Sequence, residues 1–110
     1  KLLADLMHIF RSGSTVADLA ALDPAKVGYI QLCDVPLVSK YADYSVEARD
    51  ERLAPGEGEL PLADALAALP RNLVVGIEVP KVSAATAGIA PRERLAGAVA
   101  MTRAMIARLG

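Results

Sequence analysis

The chain has little of what several common functions require. Net charge is only −1, so there is no electrostatic footprint for DNA, RNA or an anionic membrane. Aromatic residues make up 4% and Trp is absent, which weighs against a nucleic-acid reader built on stacked bases. Cys33 stands alone, so neither a disulfide framework nor a thiolate zinc cluster can form within one chain. No apolar run reaches the ~18 residues of a membrane-spanning helix, and no signal-peptide pattern opens the chain. A cytoplasmic location is the default expectation. What the chain does have is apolar content: 54% hydrophobic residues against 23% charged, enough to bury a core.

Two near-continuous apolar runs, Val27 to Cys33 and Leu73 to Val79, read as strands covered on both faces, as in a parallel sheet. Leu2-Leu3-Ala4 reads as the stub of an earlier strand. Helices are expected over Thr15 to Leu22 with Ser14 as N-cap, over Pro61 to Leu69, and over Pro91 to Leu109. The last carries Leu95, Ala98, Thr102, Met105 and Leu109 on one stripe. Strand–helix–strand order implies parallel strands and right-handed crossovers. Three such units cannot close a barrel, which takes roughly 250 residues. With Lys1 as first residue, the expectation is a piece of a longer chain. Val35 to Leu60 reads as a long loop without helix or strand. Its first half, from Lys40 to Asp50, is expected to be mobile, and its second half, from Arg52 to Glu59, to be held by Pro-Gly turn chemistry.

Polar residues fall at the strand ends, where α/β barrels place their active groups. Asp5 and His8 follow the first stub, Gln31 and Asp34 end the second strand, Arg52 lies in the loop beyond it, and Glu78 ends the third. Asp5, Gln31 and Glu78 all offer oxygen donors suited to Mg2+ or Mn2+. Spacing alone leaves plainer roles open. Asp5 can cap a helix, Gln31 can hydrogen-bond inside a barrel, and Arg52 can be a solvated charge. Glu78, flanked by apolar residues, is expected to be buried and therefore to need a partner. Asp34 is expected to orient a neighbour, and Arg11-Ser12-Gly13 to form a turn rather than a phosphate site.

Four segments in order resemble motifs of the xylose isomerase-like sugar isomerase/epimerase barrels. Asp5-Leu6-Met7-His8 resembles the D-x-x-H motif after the sixth strand. Tyr29-Ile30-Gln31-Leu32-Cys33-Asp34 resembles the seventh-strand stretch. Arg52-Leu53-Ala54-Pro55-Gly56-Glu57-Gly58 is similar to the R-x-x-P-G-x-G loop, and Gly76-Ile77-Glu78 to the eighth-strand glutamate segment. The resemblance implies that residues 1–110 are an α/β unit, the C-terminal three β/α units of a TIM (β/α)8 barrel, incomplete within this chain. It implies Asp5, Gln31 and Glu78 as metal ligands, His8 and Arg52 as substrate-binding groups, and Glu78 as the catalytic acid or base. The implied cofactor is a divalent ion, Mn2+ or Mg2+ first, Zn2+ or Co2+ as alternatives. The implied function is part of a metal-dependent sugar or sugar-phosphate isomerase/epimerase acting by proton transfer next to a carbonyl. A related dehydratase and a non-catalytic binding or scaffold protein are the rivals. The departure is Gln31, which stands where these barrels usually have a histidine. Expected partners are a small polyhydroxy or keto substrate, the remaining barrel strands and, as an option, a second copy in a homodimer. The piece alone is expected to be inactive.

Overall fold

A computed structural model describes all residues, 1–110. Three strands, β1 (Leu2–Asp5), β2 (Val27–Leu32) and β3 (Val75–Ile77), form one parallel sheet in the order β1-β2-β3. Six helices join and follow them: α1 (Leu6–Arg11), α2 (Val16–Ala20), α3 (Tyr44–Asp50), α4 (Leu62–Ala68), α5 (Val82–Thr86) and α6 (Pro91–Arg108). No helix is long and apolar enough to cross a membrane.

The pleat divides the strand residues between two faces. Ala4, Ile30 and Leu32 are buried against the helical side, where they join Leu6, Met7, Leu19, Leu62, Ala65 and Leu66 in one core. Leu3, Tyr29 and Gln31 lie on the other face and are partly or fully exposed. Nothing in the chain covers that face. The apolar runs read as covered on both faces, and within this chain the second face is open and mixed. Leu3 and Val74 are apolar and exposed, whereas Asp5, Gln31 and Glu78 occupy the C-terminal end. A side chain at Gly76 would meet the Tyr29 hydroxyl, which lies over the glycine on this open face.

The three expected helices are present within a residue or two of their bounds as α2, α4 and α6. The N-cap of α2 is Thr15 rather than Ser14. Thr15 Oγ1 accepts from the Asp18 N–H at 3.2 Å, and Asp18 Oδ2 accepts from the Thr15 N–H at 2.7 Å, a reciprocal box. In α6 only Ala98 and Thr102 are fully buried, while Leu95 and Ile106 stay largely exposed. β3 is shorter than its apolar run because only Val75 to Ile77 pair with β2.

The expectation that Val35 to Leu60 lacks helix and strand is wrong. Asp43 caps α3 through the Ser45 N–H at 2.9 Å. Glu47 on α3 is 2% exposed and pairs with Arg11 at 2.8 Å. Arg11 also donates to the carbonyls of Pro36 at 2.7 Å and Leu37 at 2.8 Å. Its side chain is therefore committed to holding the loop. The signal was hidden because the partner lies far off in sequence.

Asp34 organises the second half of that loop. Its Oδ1 accepts from the Val35 N–H at 2.9 Å and the Leu60 N–H at 3.0 Å, and its Oδ2 from the Gly56 N–H at 3.0 Å. Gly58 packs directly on the carboxylate, leaving no space for a side chain, and Gly56 sits at φ 93°, a conformation that favours glycine. Beside it Cys33 is fully buried. Desolvation pushes its thiol up to about 12, against the pull of the nearby Arg52 charge.

Two outcomes follow. Asp34→Ala strands three backbone N–H groups, each worth about 1–3 kcal/mol when buried without a partner. The expected loss is on the order of 3 kcal/mol or more, read as a lowered denaturant midpoint, with Asp34→Asn less damaging. Cys33 in the folded chain is expected not to react with a thiol-disulfide reagent at pH 8, while the unfolded chain reacts at once. Because the folded thiol titrates higher than a free thiol, at about 12 against 9.0, its contribution to stability is complete below pH 9. It is lost as pH rises towards 12, since only the unfolded state then sheds its proton. A midpoint that does not fall over that window counts against this burial.

Candidate functional site

The parallel register brings the strand-end residues together. Asp5 pairs with Gln31 across β1 and β2, and Gln31 with Gly76 across β2 and β3. Glu78, two residues beyond Gly76, falls on the same face. A cleft of about 540 Å³ is lined by Asp5, His8, Gln31, Arg52 and Glu78 together with Ile9 and Ser12. All five residues singled out in the sequence thus share one cleft.

Asp5 has two roles. Its Oδ1 caps α1, accepting from the Met7 N–H at 3.1 Å and more weakly from the His8 N–H at 3.4 Å. Its Oδ2 accepts from Arg52 Nη1 at 2.9 Å. Helix capping was the plainer alternative for this residue, and it coexists with a place in the cleft.

Arg52 is not a solvated charge. It is 5% exposed. Nε donates to the Ala48 carbonyl at 2.7 Å, at the end of α3, and Nη1 also meets Cys33 Sγ at 3.7 Å. Nη2 lies 3.3 Å from His8 Nε2. Guanidinium has no acceptor, so that contact assigns Nε2 as the acceptor and the ring proton to Nδ1. Burial works against the charge of Arg52, but the hydrogen bond to Asp5 and the charges of Cys33 and Asp5 outweigh it and hold its pKa above the usual value. The backbone N–H of Arg52 donates to the Pro80 carbonyl at 2.9 Å, which ties the loop to the end of β3.

Glu78 departs from its expectation. Its side chain is 47% exposed rather than buried, and its Oε2 lies 3.6 Å from Arg52 Nη1. The flanking apolar residues belong to the strand, and Glu78 sits just past the last paired residue, on the open face. His8 is 46% exposed and packs edge-on to Tyr44 with ring centroids 6.0 Å apart. Tyr44, contributed by α3, is the neighbour that sequence reasoning passed over. Its only signal was an aromatic residue in the long loop.

The donor set fits a divalent ion poorly. No group of three His, Cys, Asp or Glu side chains converges. Both acidic residues of the proposed ligand set, Asp5 and Glu78, already face the Arg52 guanidinium, and Gln31 offers a neutral amide in place of an imidazole. A guanidinium and a divalent ion about 4 Å apart repel by roughly 8 kcal/mol at an effective dielectric of ~20.

No protein-family model matches the chain, and comparison with curated proteins yields no match. Among solved structures, a xylose isomerase domain protein from Alicyclobacillus acidocaldarius subsp. acidocaldarius is similar. Identity is 26% and the TM-score 0.58, over 92% of this chain. The match spans 37% of that protein's length. The parallel strand order and the cleft at the strand ends agree with this likeness. The chain has the fold of part of a xylose isomerase-like TIM barrel.

Proposed function

We propose that this chain forms part of an enzyme that moves a proton at a carbon next to a carbonyl in a small polyhydroxy or keto compound, a sugar or sugar-phosphate isomerase or epimerase. The observation that carries the reading is the convergence of Asp5, His8, Gln31, Arg52 and Glu78 at the C-terminal ends of three parallel strands. The likeness to a xylose isomerase domain protein supports the same class.

Each residue then has a chemical task. Glu78 is the general base, since its carboxylate is accessible and stands at the rim of the cleft. It takes the proton from the carbon, the C–H electron pair forms the carbon–carbon double bond, and the carbonyl oxygen gains the negative charge. A cationic or N–H donor must meet that oxygen. Arg52 and His8 hold the substrate oxygens, and the Gln31 amide offers a donor and an acceptor to a hydroxyl. Asp5 aims Arg52. Proton transfer by Glu78 does not depend on which of these groups supplies the positive charge. Return of the proton on the opposite face needs a second carboxylate, which the rest of the barrel would supply.

Glu78→Gln keeps the shape and removes the base. In the full-length protein it is expected to slow exchange of substrate C–H for deuterium by about 10²–10⁴-fold, with the thermal midpoint nearly unchanged. The measurement is proton NMR in D2O with a panel of ketoses, aldoses and their phosphates. Undiminished exchange together with a lowered midpoint would make Glu78 a structural residue and sink the assignment.

A further inference from the structure

The cleft already contains a cation. Arg52 lies between Asp5 and Glu78, at 2.9 Å and 3.6 Å, and it cannot easily leave. Three constraints fix it: the Nε bond to the Ala48 carbonyl, the backbone bond to the Pro80 carbonyl, and near-complete burial. The flanking Glu51 adds a fourth, because its carboxylate accepts from the Ser83 N–H at 2.7 Å and its backbone bridges to Lys81. Arg52 is therefore a built-in charge clamped between α3 and the end of β3, not a side chain that swings in with substrate.

The other proposed ligands are spent or weakened. Asp5 Oδ1 carries two backbone N–H groups and Oδ2 carries Arg52. Gln31 has no charge with which to attract an ion. Asp5 and Glu78 together bring two negative charges, one of which the guanidinium neutralises. From these three strands, what remains is too little to draw a divalent ion into contact with a fixed positive group. Of the five guanidinium N–H groups, Ala48, Asp5, Cys33 and His8 account for four. One N–H on Nη2 is left for a ligand oxygen.

We propose that Arg52, and not a divalent metal ion, is the resident cation of this cleft, and that its remaining N–H binds the carbonyl oxygen of a small keto or polyhydroxy compound. The last clause rests on the function proposed above; the first does not. In this arrangement Gln31 complements the arginine. Once the guanidinium supplies the charge, a neutral amide that can donate and accept suits a substrate hydroxyl better than an imidazole ligand does. Arg52 meets the developing oxyanion with a charge-assisted hydrogen bond, while Asp5 keeps it oriented.

The test is Mn2+ titration of the full-length protein, stripped with EDTA, followed by the electron paramagnetic resonance signal of free Mn2+. Wild-type protein is expected to leave Mn2+ free up to about millimolar concentration. Arg52→Met removes the charge and keeps an unbranched side chain. It is expected to gain at least tenfold in Mn2+ affinity, because Asp5 and Glu78 lose their internal partner. Micromolar binding by the wild type, or no gain in a folded Arg52→Met protein, overturns the proposal. Should Arg52→Met fail to fold, the wild type decides by itself. One equivalent of Mn2+ is expected to leave the Met7 and His8 amide NMR signals unbroadened, and their selective loss overturns the proposal. These readouts need no substrate, so failure of the Glu78 assignment leaves them intact. Where turnover is found, it is expected to survive EDTA.

Discussion

The ion pair between Arg52 and Asp5 is the contact on which the cleft depends. It joins residues far apart in sequence, and it brings the loop after β2 onto the end of β1. Through the same side chain the loop reaches α3 at Ala48 and His8 on α1, and through its backbone the end of β3. Four segments thus converge on one residue. A buried pair of this kind contributes little net stability, since desolvation offsets most of the attraction. Its value lies in position, because a charge held at several points needs no reorganisation when a ligand charge develops beside it.

A second carboxylate makes that placement possible. Asp34 collects three backbone N–H groups and folds Arg52 to Leu60 back against β2. Its backbone also pairs with Leu53, the neighbour of Arg52. The loop is thereby held on both sides of Arg52, by Asp34 after it and by the Arg11–Glu47 pair before it. Both devices bury charge, and each satisfies it locally. The less buried groups of the cleft, Glu78 and His8, stand at the rim facing solvent.

Much of the fold was legible. The apolar runs of β2 and β3 and the amphipathic stretches of α2, α4 and α6 carry periods that report burial directly. The short helices were not legible. α1 has six residues and α5 five, too few for a period to show. α3 is held by Glu47 meeting Arg11, a pair 36 positions apart. The site was legible as a set of residue types in order. Their states were less so: Glu78 looked buried because its neighbours in sequence are apolar, and the acidic Asp50 and Glu51 before Arg52 left a solvated charge open as an alternative.

The sequence by itself determined the parallel α/β architecture, since hydrophobic period and turn residues are local properties that each segment carries alone. It also determined which polar residues would stand at strand ends, because the end of an apolar run marks the end of a strand. Tertiary structure alone decided which of them touch. The register of Asp5, Gln31 and Gly76 places their side chains on one face, and the fold of the long loop sets a guanidinium between two carboxylates. Such pairing depends on distances between segments with no periodic relation in the chain. Charge compensation in a cleft is a sum over those distances, and only the folded chain supplies them.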